Sequence, residues 1–231
     1  MPPFRRIPFF YCSNENLNAM TEGLSVNSDD RVLAIGGSGD QAFALLEYAE
    51  SVNIADTNLR QLDYIRKRIT HLENGDYESF LKLDDPNVEI GLKDEEMTRL
   101  VKENRRNYFR KEGRLDIVRE KVDKITIHEP DNILRIALNT PDTVSKLYCS
   151  DISLISFVDL PTKSLKKDFK RVVFVGGLIY FANDKTAFGT RLINDFGFED
   201  IIKEKKLTGL ANHYEIKNGG FWKPAVYKRV S

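Results

Sequence analysis

The sequence predicts an α/β fold on a mostly parallel, seven-stranded sheet with a C-terminal antiparallel hairpin and a helical insertion. Three observations carry that expectation. Short apolar runs alternate with longer helical stretches, a glycine-rich turn joins the first strand-like run to the first long helix, and a glycine pair separates two strand-like segments at the end. Strand and helix in alternation select a parallel sheet, because each crossover helix returns the chain to the same edge and covers a face on the way.

With 231 residues the chain suits one domain, residues 1 to 231, with the helical insertion at about 59 to 122. Lys plus Arg and Asp plus Glu number 35 each, so no global field draws the molecule to nucleic acid or to an anionic membrane. The longest apolar stretch, 172 to 182, falls short of the roughly 20 residues of a membrane span. The first residues, MPPFRRIPFFYC, lack the apolar core and small-residue cleavage site of a signal peptide. Cys12 and Cys149 have neither zinc nor redox spacing, so we expect reduced, packed thiols in a cytoplasmic protein.

In chain order, Asn16 to Leu24 reads as a short helix, and the turn residues Asn27 to Asp30 deliver the chain into a first strand, Arg31 to Ile35. Gln41 to Glu50 has helical apolar spacing, and Ser51 to Ala55 reads as a second strand ending at Asp56. Helical patterns then run from Leu59 to about Leu83 and from about Lys93 to Glu120, with charges expected on a solvated face. Lys124 to His128 reads as a third strand and Ile152 to Val158 as a fourth, with a helix over Pro141 to Leu147 between them. Arg171 to Ala182 reads as a fifth strand with a glycine bend at Gly176-Gly177. After a helix near Thr186 to Phe196, strands around Lys206 to Ile216 and Ala225 to Val230 close the chain as a hairpin through Gly219-Gly220.

The chemistry concentrates after the first strand. Gly36, Gly37, Ser38 and Gly39 lie between strand and helix, where missing Cβ atoms let a ligand approach the backbone and the next helix points free N–H groups at it. Twenty residues after Gly36, Asp56 ends the next strand, where a carboxylate can accept both hydroxyls of a ribose. Together they predict an adenosine-containing ligand. Gly37 to Ala42 formally fits the GxGxxA form of a dinucleotide fingerprint, but Asp40 would set a negative charge beside a pyrophosphate, and no mirrored second half is visible. S-adenosylmethionine carries an ammonium, a carboxylate and a sulfonium, so acids near the loop suit it, and it is the expected cofactor ahead of NAD.

At these residues the chain resembles a known family, the S-adenosylmethionine:diacylglycerol 3-amino-3-carboxypropyl transferases of betaine lipid synthesis, within the class I methyltransferase-like superfamily. The resemblance lies in Arg31 to Asp40, Ala44 to Leu46, Ile54 to Leu62 and Asp76 to Leu81, and covers roughly residues 11 to 83. It implies a Rossmann-like class I methyltransferase fold, with Asp40, Asp56, Thr57 and Asn58 joining the glycines around the cofactor, and Tyr11 folding over it as a lid. Simple packing of Tyr11 against the sheet is the competing expectation. Ala34 and Asp40 stand where ordinary methyltransferases usually carry an acid and a glycine, which leans toward the transferase family. Its lipid-precursor members are considerably longer, so the expected acceptor is a small molecule rather than diacylglycerol.

The sulfonium is activated toward attack at three carbons, so positioning matters more than acid-base machinery. Asp131 and Asn132, after the third strand, are candidates for the adenine or ribose, or are turn residues. Asp159, after the fourth strand, is the candidate for the reacting site. His71, His128 and His213 show no ligand spacing, so no metal is assigned. The expected activity is S-adenosylmethionine-dependent transfer to a small molecule, with the aminocarboxypropyl group slightly ahead of methyl. A methyltransferase, a non-catalytic cofactor-binding module and an NAD-dependent oxidoreductase are the alternatives.

Overall fold

The computed structural model describes residues 11–82, 95–140, 143–150, 172–183, 200–217 and 222–231. Seven strands form one sheet in the order β3-β2-β1-β4-β5-β7-β6. They are β1 Arg31–Ile35, β2 Ser51–Ala55, β3 Ile125–Ile127, β4 Lys146–Tyr148, β5 Leu178–Phe181, β6 Ile201–Lys203 and β7 Ala225–Arg229. Strands β1 to β5 pair in parallel, and β7 runs antiparallel between β5 and β6. That is the α/β arrangement of the class I methyltransferase fold.

The centre of the sheet follows from composition. Val32, Leu33 and Ala34 of β1 are buried, as a parallel strand covered on both faces requires. Val32 and Ala34 join one apolar cluster with Phe43 and Leu45, while Leu33 joins the other with Leu134 and Ile179. The described helices are α1 Leu17–Leu24, α2 Asp40–Leu46, α3 Leu59–Glu73, α4 Tyr77–Leu81, α5 Glu95–Phe109, α6 Arg114–Glu120, α7 Ile133–Asn139 and α8 Lys205–Lys217. Asn16 opens α1 by accepting from the amides of Asn18 and Ala19 at 2.9 and 3.1 Å. Helices α3 to α6 all fall between β2 and β3.

Three expectations need correction. The segment Lys206 to Ile216 is helix rather than strand: Ala211 and Glu215, four apart, are buried on the face that meets α1, so the repeat is helical. The antiparallel partner of β7 is instead Ile201–Lys203, joined to it through α8. Lys146 and Leu147, expected in a helix, belong to β4, whose three residues are all buried, Lys146 with its Nζ 3.7 Å from Asp30. A strand so short, opened by a lysine, gives almost no apolar signal. The fifth strand starts at Leu178, after the Gly176-Gly177 bend rather than through it. The expected strand at 152–158, the helix near 186–196 and the turn at Gly219-Gly220 lie outside the described residues.

Candidate functional site

In this strand order the chain reverses direction across the sheet between β1 and β4, and an open α/β sheet forms its ligand crevice at the carboxyl ends of such strands. A cavity of about 240 Å³ lies there. It is lined from β1 by Ile35, Gly37 and Ser38, from β2 by Asp56 and from β4 by Ser150, and it is closed by Cys12 to Glu15, Gln41 and Trp222.

The glycine loop is shaped by Asp56. Gly36 N donates to Ala55 O at 2.7 Å, extending the β1–β2 ladder by one bond, and Gly37 N then donates to Asp56 Oδ2 at 3.0 Å. A Cβ on Gly36 would lie 3.0 Å from both Cβ and Oδ2 of Asp56, so only glycine lets the carboxylate rest against this backbone. Oδ1 accepts from Asn58 N at 2.9 Å. Burial raises the Asp56 pKa above the usual range, and the amides of Asn58, Gly37 and Thr57 oppose that rise. Gly39, with φ of 84°, turns the chain into α2 in the left-handed region.

Asp40 is not among the residues that line the cavity. It is fully buried, with Oδ1 2.8 Å from Arg68 Nη2 and both oxygens 2.9 Å from Arg105 Nε. Ser13 N and Ser38 Oγ donate to its Oδ2 at 2.7 and 3.0 Å. Burial alone would raise its pKa, but Arg105 and Arg68 outweigh it and hold the carboxyl below its usual range. Arg68 also donates to Ser38 O at 2.7 Å, and its guanidinium carbon lies 4.3 Å from the centre of the Phe80 ring. The carboxylate expected beside the cofactor is thus the anchor beneath the loop. Arg105, read as part of a solvated face, is 3% exposed. The legible signal was position: Val101, Arg105 and Tyr108 share one buried helical stripe, as do Ile65, Arg68 and Leu72.

Residues 11 to 15 cross the carboxyl edge of the sheet. Tyr64 Oη donates to Tyr11 O at 3.0 Å, and the two rings meet edge to face at 5.3 Å. Tyr11 therefore packs against α3 and is not among the cavity-lining residues. Gln41 Nε2 donates to Ser13 Oγ at 2.8 Å, and Trp222 Nε1 donates to Asn14 O at 2.9 Å. Tyr148 Oη donates to Glu15 Oε2 at 2.6 Å, and Ser150 Oγ donates to Oε1 of the same carboxylate. Burial, with Asp40 nearby, pushes the Cys12 thiol up to about 12. Glu15, Gln41, Ser150 and Trp222 were not singled out in the sequence. Gln41 falls at an unspecified position of the GxGxxA pattern, Trp222 carries no motif, and Ser150 follows a strand too short to recognise.

Of the other candidates, Thr57 is exposed, and Asn58 and Asn132 cap α3 and α7 by accepting from Arg60 N and Leu134 N. Asp131 N donates to Asp56 O at 3.1 Å, which ties the end of β3 to the cavity, while its side chain pairs with Arg135. Asp159 lies outside the described residues. Among the described residues, no group of three or more His, Cys, Asp or Glu is placed to hold a metal ion, and no helix is long and apolar enough to cross a membrane.

No family model matches the chain, and no curated protein matches it. Among solved structures it is similar to an rRNA methylase from Streptococcus thermophilus, at 9% identity and a TM-score of 0.45 over 92% of this chain and 95% of that one. It is similar to a precorrin-6y C5,15-methyltransferase from Geobacter metallireducens at 10% identity and a TM-score of 0.45, over 98% of this chain and 100% of that one. N-methyltransferase NodS from Bradyrhizobium japonicum, solved with S-adenosyl-L-homocysteine, shares 10% identity and a TM-score of 0.45, over 92% of this chain and 84% of that one. The architecture rests on the strand order itself.

Proposed function

We propose that the chain is an S-adenosylmethionine-dependent transferase acting on a small-molecule acceptor. The observation that carries this reading is the Asp56 carboxylate, held against Gly36 and Gly37 at the edge of the cavity with Gly37 N on Oδ2 and Asn58 N on Oδ1. A carboxylate has about four acceptor sites, so these amides leave it able to accept from a ribose hydroxyl. The balance of 35 basic and 35 acidic residues supports a small acceptor rather than a polyanion.

Methyl transfer is the reading that the fold favours. Aminocarboxypropyl transfer is the second reading, supported by the resemblance across Gly36 to Asp40 and Asp56 to Leu62. The two differ in which carbon of the sulfonium is attacked, and hence in the sulfur product. Incubation with S-adenosylmethionine and candidate acceptors, followed by identification of that product, separates them. S-adenosylhomocysteine is the product expected of methyl transfer and methylthioadenosine of aminocarboxypropyl transfer. Neither product with any acceptor, despite binding, would favour a non-catalytic module.

A further inference from the structure

Gln41 stands on the first turn of α2, is 6% exposed, and lines the cavity. Its amide is split between two environments. Nε2 is fixed by Ser13 Oγ at 2.8 Å, whereas Oε1 is a buried acceptor with no hydrogen-bond donor among the described residues. A buried carbonyl oxygen without a donor is costly to leave unsatisfied, so its persistence points to a ligand that completes it.

Its position says which part of a ligand that is. Among atoms outside its chain neighbours, a Cβ placed on Gly37 would have Oε1 alone within 4 Å, at 3.9 Å. On the other side, Gly37 N is held by Asp56 Oδ2. The two acceptors thus flank Gly37. A nucleoside whose ribose reaches Asp56 extends its 5′ substituent across Gly37 toward Gln41. In a dinucleotide that substituent is a pyrophosphate, which offers only acceptors and would face Oε1 with no bond to make. In S-adenosylmethionine it is the aminocarboxypropyl arm, whose one strong donor is the α-ammonium.

We infer that Gln41 Oε1 accepts from the α-ammonium of the aminocarboxypropyl arm and makes this cavity selective for an amino-acid-bearing sulfonium nucleoside over a dinucleotide. This rests on the reading of the cavity as an S-adenosylmethionine site. The charge pattern agrees: Asp40, the residue before Gln41, is committed to Arg68 and Arg105, and Glu15, which lines the same cavity, accepts from Tyr148 and Ser150.

The test is calorimetry with two probes, S-adenosylmethionine and its analogue in which hydrogen replaces the α-ammonium. The wild-type chain should prefer S-adenosylmethionine by at least tenfold, about 1.4 kcal/mol. Gln41→Leu should reduce that preference to less than threefold by weakening S-adenosylmethionine alone. Gln41→Glu, which keeps an acceptor at the same place, should retain it, so a folding defect in the leucine variant does not decide the matter. A preference unchanged in Gln41→Leu, or lost in Gln41→Glu with an unaltered melting temperature, overturns the inference and leaves the cofactor reading intact. Wild-type protein that binds neither probe overturns both.

Discussion

Arg105 Nε lies 2.9 Å from each carboxylate oxygen of Asp40, across 65 positions of sequence, and so ties the insertion helix α5 to the residue that opens α2 beneath the glycine loop. The same guanidinium donates to Leu81 O and Phe80 O at 3.0 and 3.3 Å, so one side chain joins three segments. Removing one partner of a buried pair leaves charge behind that water cannot reach. Arg105→Met should cost about 3 kcal/mol or more of folding stability, read by denaturant titration. A loss under about 1 kcal/mol would mean that Arg68 alone suffices for Asp40.

Gly36→Ala tests the seat of Asp56. The new Cβ would meet Asp56 Oδ2 at 3.0 Å and Ile65 Cδ1 at 3.3 Å, so the carboxylate has to shift off the loop. S-adenosylmethionine affinity should fall about tenfold, roughly 1.4 kcal/mol. Added to Asp56→Ala, the substitution should produce little further loss, because both act on one carboxylate. Additive losses by calorimetry would place the two residues in separate interactions.

Most of the frame was legible in the sequence. The bounds of β1 and β2, the glycine turn, and Asp56 at the end of β2 all follow from short apolar runs broken by turn residues. Paired surfaces were not legible. Arg68 and Arg105 look like helix-face charges until their apolar neighbours at i±3 and i±4 are counted. The segment Lys206 to Ile216 looks extended until Ala211 and Glu215 are seen to share one face against α1. The apolar stripes are written in the sequence, but the partner that each stripe faces, Asp40 for the two arginines and α1 for α8, is set across the fold.

Glu215 supplies a pH signature of this misread helix. It is 3% exposed, accepts from Asn16 N at 3.0 Å, and burial raises its pKa from 4.5 to about 7. A pKa raised by folding contributes stability that is complete below about 4.5 and is lost as the pH rises through about 7. The loss amounts to about 3 kcal/mol. Gln keeps the acceptor without the charge, so the stability of Glu215→Gln relative to wild type should improve by about that amount between pH 4.5 and pH 8. Denaturation curves at the two pH values decide it, and a constant difference would show that Glu215 is solvated.

Cys12 borders the cavity, yet burial pushes its thiol up to about 12. Since only the thiolate reacts, alkylation by iodoacetamide at pH 8 should be about a hundredfold or more slower in the folded protein than in denaturant. A fast-reacting Cys12 in the folded protein would point to an open, polar environment.

The central claim is that Asp56 holds the ribose of S-adenosylmethionine. Isothermal titration of the wild-type chain and Asp56→Ala, with melting temperatures confirming the fold of both, tests it directly. The account predicts binding to wild type and at least tenfold weaker binding to the variant, about 1.4 kcal/mol for the loss of charge-assisted hydrogen bonds. Equal affinities, or no binding by wild type, would contradict it.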